Sequence, residues 1–240
     1  MYGRKGSTVR FERFGGVAGL VFATLVVGVN IVIGSAGKPL GDASLSDITT
    51  YYSDHAWVSI ATSVVAPLIW MALPLFAIGV LVATRGPQGT INPFAVAGVA
   101  GAVMQNAIFS GAVATDAVLA VRADSLATSP EFTQTLWDLQ HAAMTLNHVS
   151  IALAFMGLAL AALTSSLTRR WFGWSGLGGA AVMLISGTRS TVAIEGGGIE
   201  LAMVGFTLWI AWVVSCSFRL IRRSETRPTA DGAALEPASA

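Results

Sequence analysis

Apolar stretches of membrane-spanning length recur along the whole chain and constrain its fold more than any other feature. A helix needs about 20 apolar residues to cross the hydrocarbon core of a bilayer. We predict six such helices, at residues 14–35, 56–84, 93–121, 134–166, 171–192 and 198–220. The first apolar run is longer than the core of a signal peptide, so we expect it to remain as a span.

The scarcity of charge agrees with an all-α bundle in lipid. Only 11% of the 240 residues are charged and 54% are hydrophobic, whereas soluble domains carry about 25% charged residues. A net charge of +1 without a basic stripe argues against a nucleic-acid partner. We therefore predict a six-helix transmembrane domain at residues 1–221, partnered by the bilayer, and a disordered cytoplasmic tail at residues 222–240. The oligomeric state and any cofactor stay unassigned.

The basic residues predict the orientation of the chain. With the N-terminus inside, eleven Lys and Arg residues fall on the cytoplasmic side and three fall outside, at Lys38, Arg122 and Arg189. Such a bias is typical of cytoplasmic loops. Both termini are then cytoplasmic, and Trp57 and Trp137 lie near the outer interface, where aromatic belts form.

Two features predict how the spans bend and pack. Pro67 and Pro74 each remove a backbone donor, which gives the second helix a reason to kink. Small residues four apart, such as Gly15 with Gly19 and Ala97 with Gly101, allow helix backbones to approach closely in lipid. The helices are therefore expected to pack through small-residue faces.

The longest loop, residues 36–55, contains a helix signal. Ser44 is followed three residues later by Asp47, as in a capping box with Asp in place of Glu. Leu45, Ile48, Tyr51 and Tyr52 then share one helical face, which is typical of a short amphipathic helix on the outer interface. A plain ordered loop is the alternative interpretation.

Polar residues inside the predicted spans point to two layers. Helices three and four form a hairpin centred near residue 127, so positions equidistant from that centre share a depth. Asp116 and Asp138 fall in the outer half, together with Asp54, His55 and His141 at the same level. The midplane layer contains a second set of polar side chains, namely Gln105, Asn106, Asn147 and His148.

Helix four has the most informative polar face. Asp138, His141, Thr145 and His148 follow spacings of three, four and three, which place them on one stripe. Lipid would penalise this stripe, so we expect it to face a polar interior. Buried polar groups can also simply bond neighbouring helices, and we favour that role for Gln105, Asn106 and Asn147.

Three functions are compatible with this pattern. The first is binding or transport of a lipophilic or amphiphilic small molecule in an Asp/His pocket in the outer half of the bundle. The second is a membrane-embedded enzyme, in which Asp138, His141 and Asp116 act as acid and base on a lipid or isoprenoid. In either case Asp54, His55 and the midplane residues would line the binding site.

The third function is a metal or haem site. His55 and His141 are the only histidines at the outer level, whereas His141 and His148 are about 10.5 Å apart along one helix and cannot share an iron. The carboxylates that could complete the coordination of a metal at this level are Asp54, Asp116 and Asp138. Zinc and dithiol motifs are excluded because Cys216 is the single cysteine.

Part of the chain carries a family resemblance. The segment Gly41-Asp42-Ala43-Ser44, the run from Tyr51 to His55, and the following span ending at Thr84-Arg85 are the matching features. They resemble a group of multi-spanning actinobacterial membrane proteins without an assigned activity. The likeness covers about the first third of the chain and its hydropathy throughout. It implies a bacterial plasma membrane protein and no particular chemistry.

Overall fold

Six α-helices make up most of the part of the chain that the structure describes. The computed structural model describes residues 4–165, 167–188 and 199–226. In these ranges all regular structure is helical, which confirms the predicted all-α class. The α-helices are α1 (Arg4–Ser35), α2 (Leu45–Ala83), α3 (Pro93–Val121), α4 (Pro130–Thr164), α5 (Arg170–Gly187) and α6 (Ile199–Thr226). Short 3₁₀ helices at Pro87–Gly89 and Ala123–Thr128 lie before α3 and α4.

Five of these helices are long and apolar enough to cross a membrane. They are α2, α3 and α4 in full, Phe11–Ser35 of α1 and Leu201–Glu225 of α6. Helix α5 is not among them: it has 18 residues, a rise of about 27 Å. It begins with Arg170 and is rich in glycine.

The helix ends follow local sequence signals. Asn92 caps α3 by accepting from the Phe94 N–H, and Pro93 occupies its first turn. Pro130 likewise occupies the first turn of α4. Helix α4 therefore begins four residues before its predicted start. The prediction of a disordered tail from residue 222 is wrong for 222–226, because α6 continues to Thr226. Arg and Glu are good helix formers, so polarity alone does not end a helix. Residues 227–240 lie outside the described ranges.

The helices pack in a closed ring that follows chain order. Each helix contacts the next one, and α6 returns to contact α1. Helix α2 also touches α4 across the centre, where a large apolar core includes Phe76, Phe155 and Trp209. The ring has two ends. We call the end formed by residues 36–44 and 122–129 the Lys38 end, and the end formed by residues 84–92 and 167–169 the Arg85 end.

Small residues permit the closest helix contacts. A Cβ on Gly101 would fall against the backbone of Ala154, and one on Gly15 would fall against the backbone of Gly79. These contacts confirm the expected small-residue packing for α3 with α4 and for α1 with α2. Gly98, rather than the predicted Ala97, completes the α3 face, since it lies against Leu158 of α4.

Helix α2 is broken at a histidine. His55 is the residue of α2 with non-helical backbone angles, φ −129° and ψ 21°. Pro67 and Pro74 lie inside α2 and are not among its non-helical residues, so the helix is not broken there, and the predicted proline kink stays a prediction. The carbonyl of Trp70, four residues before Pro74, has no amide donor within its own helix. Asn106 of α3 supplies one, with Nδ2 to Trp70 O at 2.6 Å.

The first turns of α2 cap the bundle instead of lying on its surface. The capping box between Ser44 and Asp47 is present, as predicted. Ile48, Tyr51 and Tyr52 are buried, in a cluster that includes side chains from α3 and α4. The prediction of an interfacial helix is therefore wrong, because its apolar face has protein partners at the Lys38 end.

Candidate functional site

A buried carboxylate stands at the centre of the polar cluster at the Lys38 end. Asp116 of α3 is 5% exposed. Its Oδ1 accepts hydrogen bonds from Tyr52 Oη at 2.6 Å and Gln140 Nε2 at 3.0 Å, and it forms an ion pair with Lys38 Nζ. The three donors come from α2, α4 and the loop between α1 and α2. One carboxylate oxygen therefore ties four segments together.

The α3–α4 hairpin sets the level of this site. Gly101 lies against Ala154, and continuing that antiparallel register places Asp116 opposite residue 139. The bond from Gln140 agrees with that register and confirms that Asp116 lies level with residues near 138. The partner is Gln140 rather than Asp138, because two residues along a helix correspond to a rotation of about 200°.

Lys38 reaches Asp116 through a glycine turn. Helix α1 is followed by Gly37, whose φ is 67°, a conformation that glycine adopts at little cost. The Lys38 N–H bonds the Ile33 carbonyl at 3.4 Å, which reverses the chain in the manner of a glycine helix cap. The Lys38 side chain is only 13% exposed. Its ammonium thus enters the bundle instead of remaining in the loop.

Aromatic rings surround the ion pair. Tyr52 and Trp137 are fully buried, and Lys38 Nζ lies 6.0 Å from the centroid of the Trp137 ring, within cation–π range. Trp137 Nε1 donates to the Gly41 carbonyl at 3.1 Å. The prediction that Trp137 belongs to an interfacial belt is wrong, because the returning loop covers it. Trp57, by contrast, is 58% exposed.

The aromatic wall extends to both predicted outer histidines. His55 stacks on Tyr51 at 5.6 Å between centroids, and His141 lies 4.4 Å from Trp137. Between them, Tyr51 contacts Tyr52, and Tyr52 contacts Trp137. The ring contacts of the two histidines are therefore with different aromatic residues.

Two hydroxyl groups beside Asp116 are buried with no hydrogen bond of standard geometry in the described part of the chain. They are Tyr51 Oη and Ser59 Oγ, on residues that are 4% and 2% exposed. Ser59 lies close to both the Tyr51 hydroxyl and the Asp116 carboxylate. A buried hydroxyl without a partner costs free energy, so this wall has hydrogen-bonding capacity beyond what the ion pair uses.

The predicted acid–base residues of α4 have local partners. His141 is half-buried and its Nδ1 lies 2.9 Å from the Trp137 carbonyl, so Nδ1 carries the proton because a carbonyl can only accept. Asp138 accepts from Gln134 Nε2 at 2.9 Å. Asp116, the third predicted catalytic residue, bonds neither of them. The structure thus places Asp116, Asp138 and His141 at one level, but the described hydrogen bonds do not connect them to one another.

Two of the predicted metal ligands, Asp54 and His55, lie at the edge of the site. Asp54 is exposed and His55 is half-buried at the break in α2. Within the described ranges, no group of three or more His, Cys, Asp or Glu side chains could hold a metal ion. A pairing of His55 with His141 would therefore lack a third donor of these types in that part of the chain.

The midplane residues make individual contacts. Asn106 bonds the Trp70 carbonyl, and His148 Nδ1 lies 3.1 Å from Ser186 Oγ of α5. Gln105 and Asn147 are 7% and 4% exposed, and among the described residues their side-chain oxygens have no hydrogen-bond partner. Asn106 and His148 thus each bond one neighbouring helix, and their bonds do not converge on one group.

Three residues of the site were not predicted from the sequence: Lys38, Tyr52 and Gln140. Tyr52 was assigned to a surface helix, and Gln140 lies off the polar stripe. A signal for Lys38 was present, since it directly follows a glycine at the end of an apolar helix.

Comparison of the chain with protein-family models, curated proteins and solved structures finds no match.

Proposed function

We propose that the chain is a six-span protein of the bacterial plasma membrane with both termini in the cytoplasm. In this arrangement α5 also crosses the membrane, in addition to the five long apolar helices. The Lys38 end faces outward. Support comes from the basic residues, eleven of which are on the proposed inner side. Exposed Trp171 and Trp174 at the start of α5 suit the inner interface.

We further propose that the site at Asp116 binds, or carries across the membrane, a small amphiphilic molecule with a cationic group. The observation that carries this proposal is the buried Asp116–Lys38 pair within aromatic walls. Taking a carboxylate out of water costs several kcal/mol unless a partner charge compensates. Here the partner is an ammonium on a loop, which can be exchanged for an ammonium from outside.

The chemistry of the walls suits an organic cation. Asp116 supplies the charge, and the face of Trp137 supplies a cation–π surface for an ammonium. Tyr52 contributes apolar ring surface. The hydroxyls of Tyr51 and Ser59 can bond a polar group on the ligand. Charge, aromatic surface and hydrogen-bonding groups are the usual elements of a small-molecule site.

Binding is favoured over acid–base catalysis by the contacts of the predicted catalytic residues. Asp138 and His141 each bond a group on their own helix, and Asp116 is already neutralised by Lys38. A general acid and base must both reach one substrate. The described contacts hold these three side chains in separate interactions.

The test measures binding of benzyltrimethylammonium to purified protein in zwitterionic nanodiscs by calorimetry. Neopentylbenzene, which has the same shape without the charge, is the matched control ligand. Lys38→Met removes the resident ammonium and should tighten binding of the cation by about tenfold or more, because the ligand no longer competes with a tethered group. Asp116→Asn should abolish binding of the cation.

The double variant with both substitutions controls for folding, since it keeps the shape of the site without either charge. It should remain monodisperse and bind benzyltrimethylammonium and neopentylbenzene with equal affinity. Equal binding of benzyltrimethylammonium to the wild-type protein and to Asp116→Asn would overturn the proposal. So would equal responses of the cation and neopentylbenzene to Lys38→Met.

A further inference from the structure

A cavity lies far along the bundle from Asp116, between α4, α5 and α6. It is an apolar cleft of about 100 Å³. Six of the residues that line it are Trp171, Phe172, Ser175, Leu208, Trp212 and Ser215. Apolar cavities of roughly 150 Å³ accept a benzene ring. The cleft therefore has room for a short length of hydrocarbon chain rather than for a whole lipid.

A stripe on α6 connects the cleft to a positive charge. Leu208, Trp212, Ser215 and Arg219 follow spacings of four, three and four, so they lie on one helical face. The Arg219 guanidinium carbon is 5.8 Å from the centroid of the Phe172 ring. Phe172 in turn stacks on Trp212, with 10° between the ring planes. The guanidinium is thus held at the mouth of the cleft.

The charge at this mouth is available for an anion. In the described part of the chain, Arg219 forms no ion pair with a carboxylate. Arg169 and Arg170 at the start of α5 are exposed and add positive charge. Trp171, which follows them, is 64% exposed. Basic residues beside an exposed tryptophan are typical of the level of lipid headgroups.

We propose that this cleft binds an anionic phospholipid, with part of one acyl chain between α5 and α6 and the phosphate against Arg219. Charge complementarity identifies the occupant: the apolar cleft takes the chain, and the guanidinium selects a negative headgroup. The proposal requires membrane insertion with this face in lipid, and it does not depend on the Asp116 site.

The test compares lipids retained by the full chain in native mass spectrometry, from nanodiscs containing equal amounts of phosphatidylglycerol and phosphatidylcholine with identical acyl chains. The wild-type protein should retain phosphatidylglycerol with about a fivefold preference, the value of one favourable cationic contact near a membrane surface. Arg219→Gln should remove the preference. Arg85→Gln changes an exposed arginine away from the cleft and should leave it intact.

A second measurement locates the lipid. Phosphatidylglycerol with a photoreactive group in its acyl chain should label peptides that contain Trp171 or Trp212. Ala211 also lines the cleft, and Ala211→Phe should fill it and reduce this labelling several-fold. Equal retention of both lipids by the wild-type protein would overturn the proposal, as would equal effects of Arg219→Gln and Arg85→Gln. Labelling confined to other helices would also overturn it.

Discussion

The polar groups near the Lys38 end and those at the midplane are both buried in apolar helices, yet they are organised differently. At Asp116, donors from three other segments meet one oxygen and bring a full charge with them. At Asn106 and His148, each side chain bonds one partner on a neighbouring helix. Convergence on a charge is costly to build and is the basis of the binding role proposed above, whereas pairwise bonding is sufficient to hold helices together.

The largest expected effect is at the convergent site. Asp116→Ala leaves the Lys38 ammonium, the Tyr52 hydroxyl and the Gln140 amide without their common acceptor. Breaking one side of a buried ion pair typically costs about 3–5 kcal/mol. We expect a loss at the low end of this range, since Lys38 can move into water. The free energy of unfolding in detergent, measured by denaturant titration, checks this value.

A cycle with Lys38→Met sharpens the comparison. In that background Asp116→Ala should cost less, because no unpaired ammonium is left behind. Equal costs in both backgrounds would show that Lys38 and Asp116 are not energetically coupled, and the distinction between the two regions would fail.

The next effect concerns Asn106. Asn106→Leu leaves the Trp70 carbonyl without a donor and should cost about 1–2 kcal/mol. Pro74→Ala restores an amide that can bond this carbonyl within α2. In the Pro74→Ala protein, Asn106→Leu should therefore cost much less, as measured by the same unfolding titration.

Pro67→Ala is the matched control for this cycle. It restores an amide to the Ser63 carbonyl, which Asn106 does not contact. The cost of Asn106→Leu should stay at its full value in that background. If both proline replacements reduce the cost equally, Asn106 acts through the general shape of α2 and not through the Trp70 carbonyl.

The smallest effect is expected at the bond between α4 and α5. Ser186→Ala removes the partner of His148 and should cost about 0.6 kcal/mol, the average for hydrogen bonds between membrane helices. Ser110→Ala, at a hydroxyl that bonds its own helix backbone, should cost less. A loss of 3 kcal/mol at Ser186 would place the midplane in the same class as Asp116. Thermal unfolding of Ser186→Ala and Ser110→Ala in the same detergent measures the two losses of stability.

Much of the fold could be predicted from local sequence features. The apolar runs predicted the five helices that are long and apolar enough to cross a membrane. The predicted hairpin centre near residue 127 correctly placed Asp116 level with residues 138–140. Gly101 and Gly15 were correctly expected at close helix contacts. These features depend on residues near each other in sequence, or on the simple geometry of an antiparallel pair.

The composition of the site could be predicted only in part. Asp116 was expected, but its partners Lys38 and Tyr52 lie 78 and 64 residues away from it in the chain. Their meeting depends on the turn at Gly37 and on the break at His55, which bring the loop and the first turns of α2 over the bundle. Trp137 was misassigned for the same reason, since that loop covers it.

The sequence by itself determined that the chain is helical and membrane-embedded, since apolar runs that satisfy their backbone hydrogen bonds internally leave few alternatives in lipid. The tertiary structure alone decided which polar groups meet. A charge in an apolar bundle must be neutralised by whatever partner the packing brings within reach, and here that partner is a loop lysine. Helical periodicity shows which face a residue occupies, but not which distant side chain lies opposite.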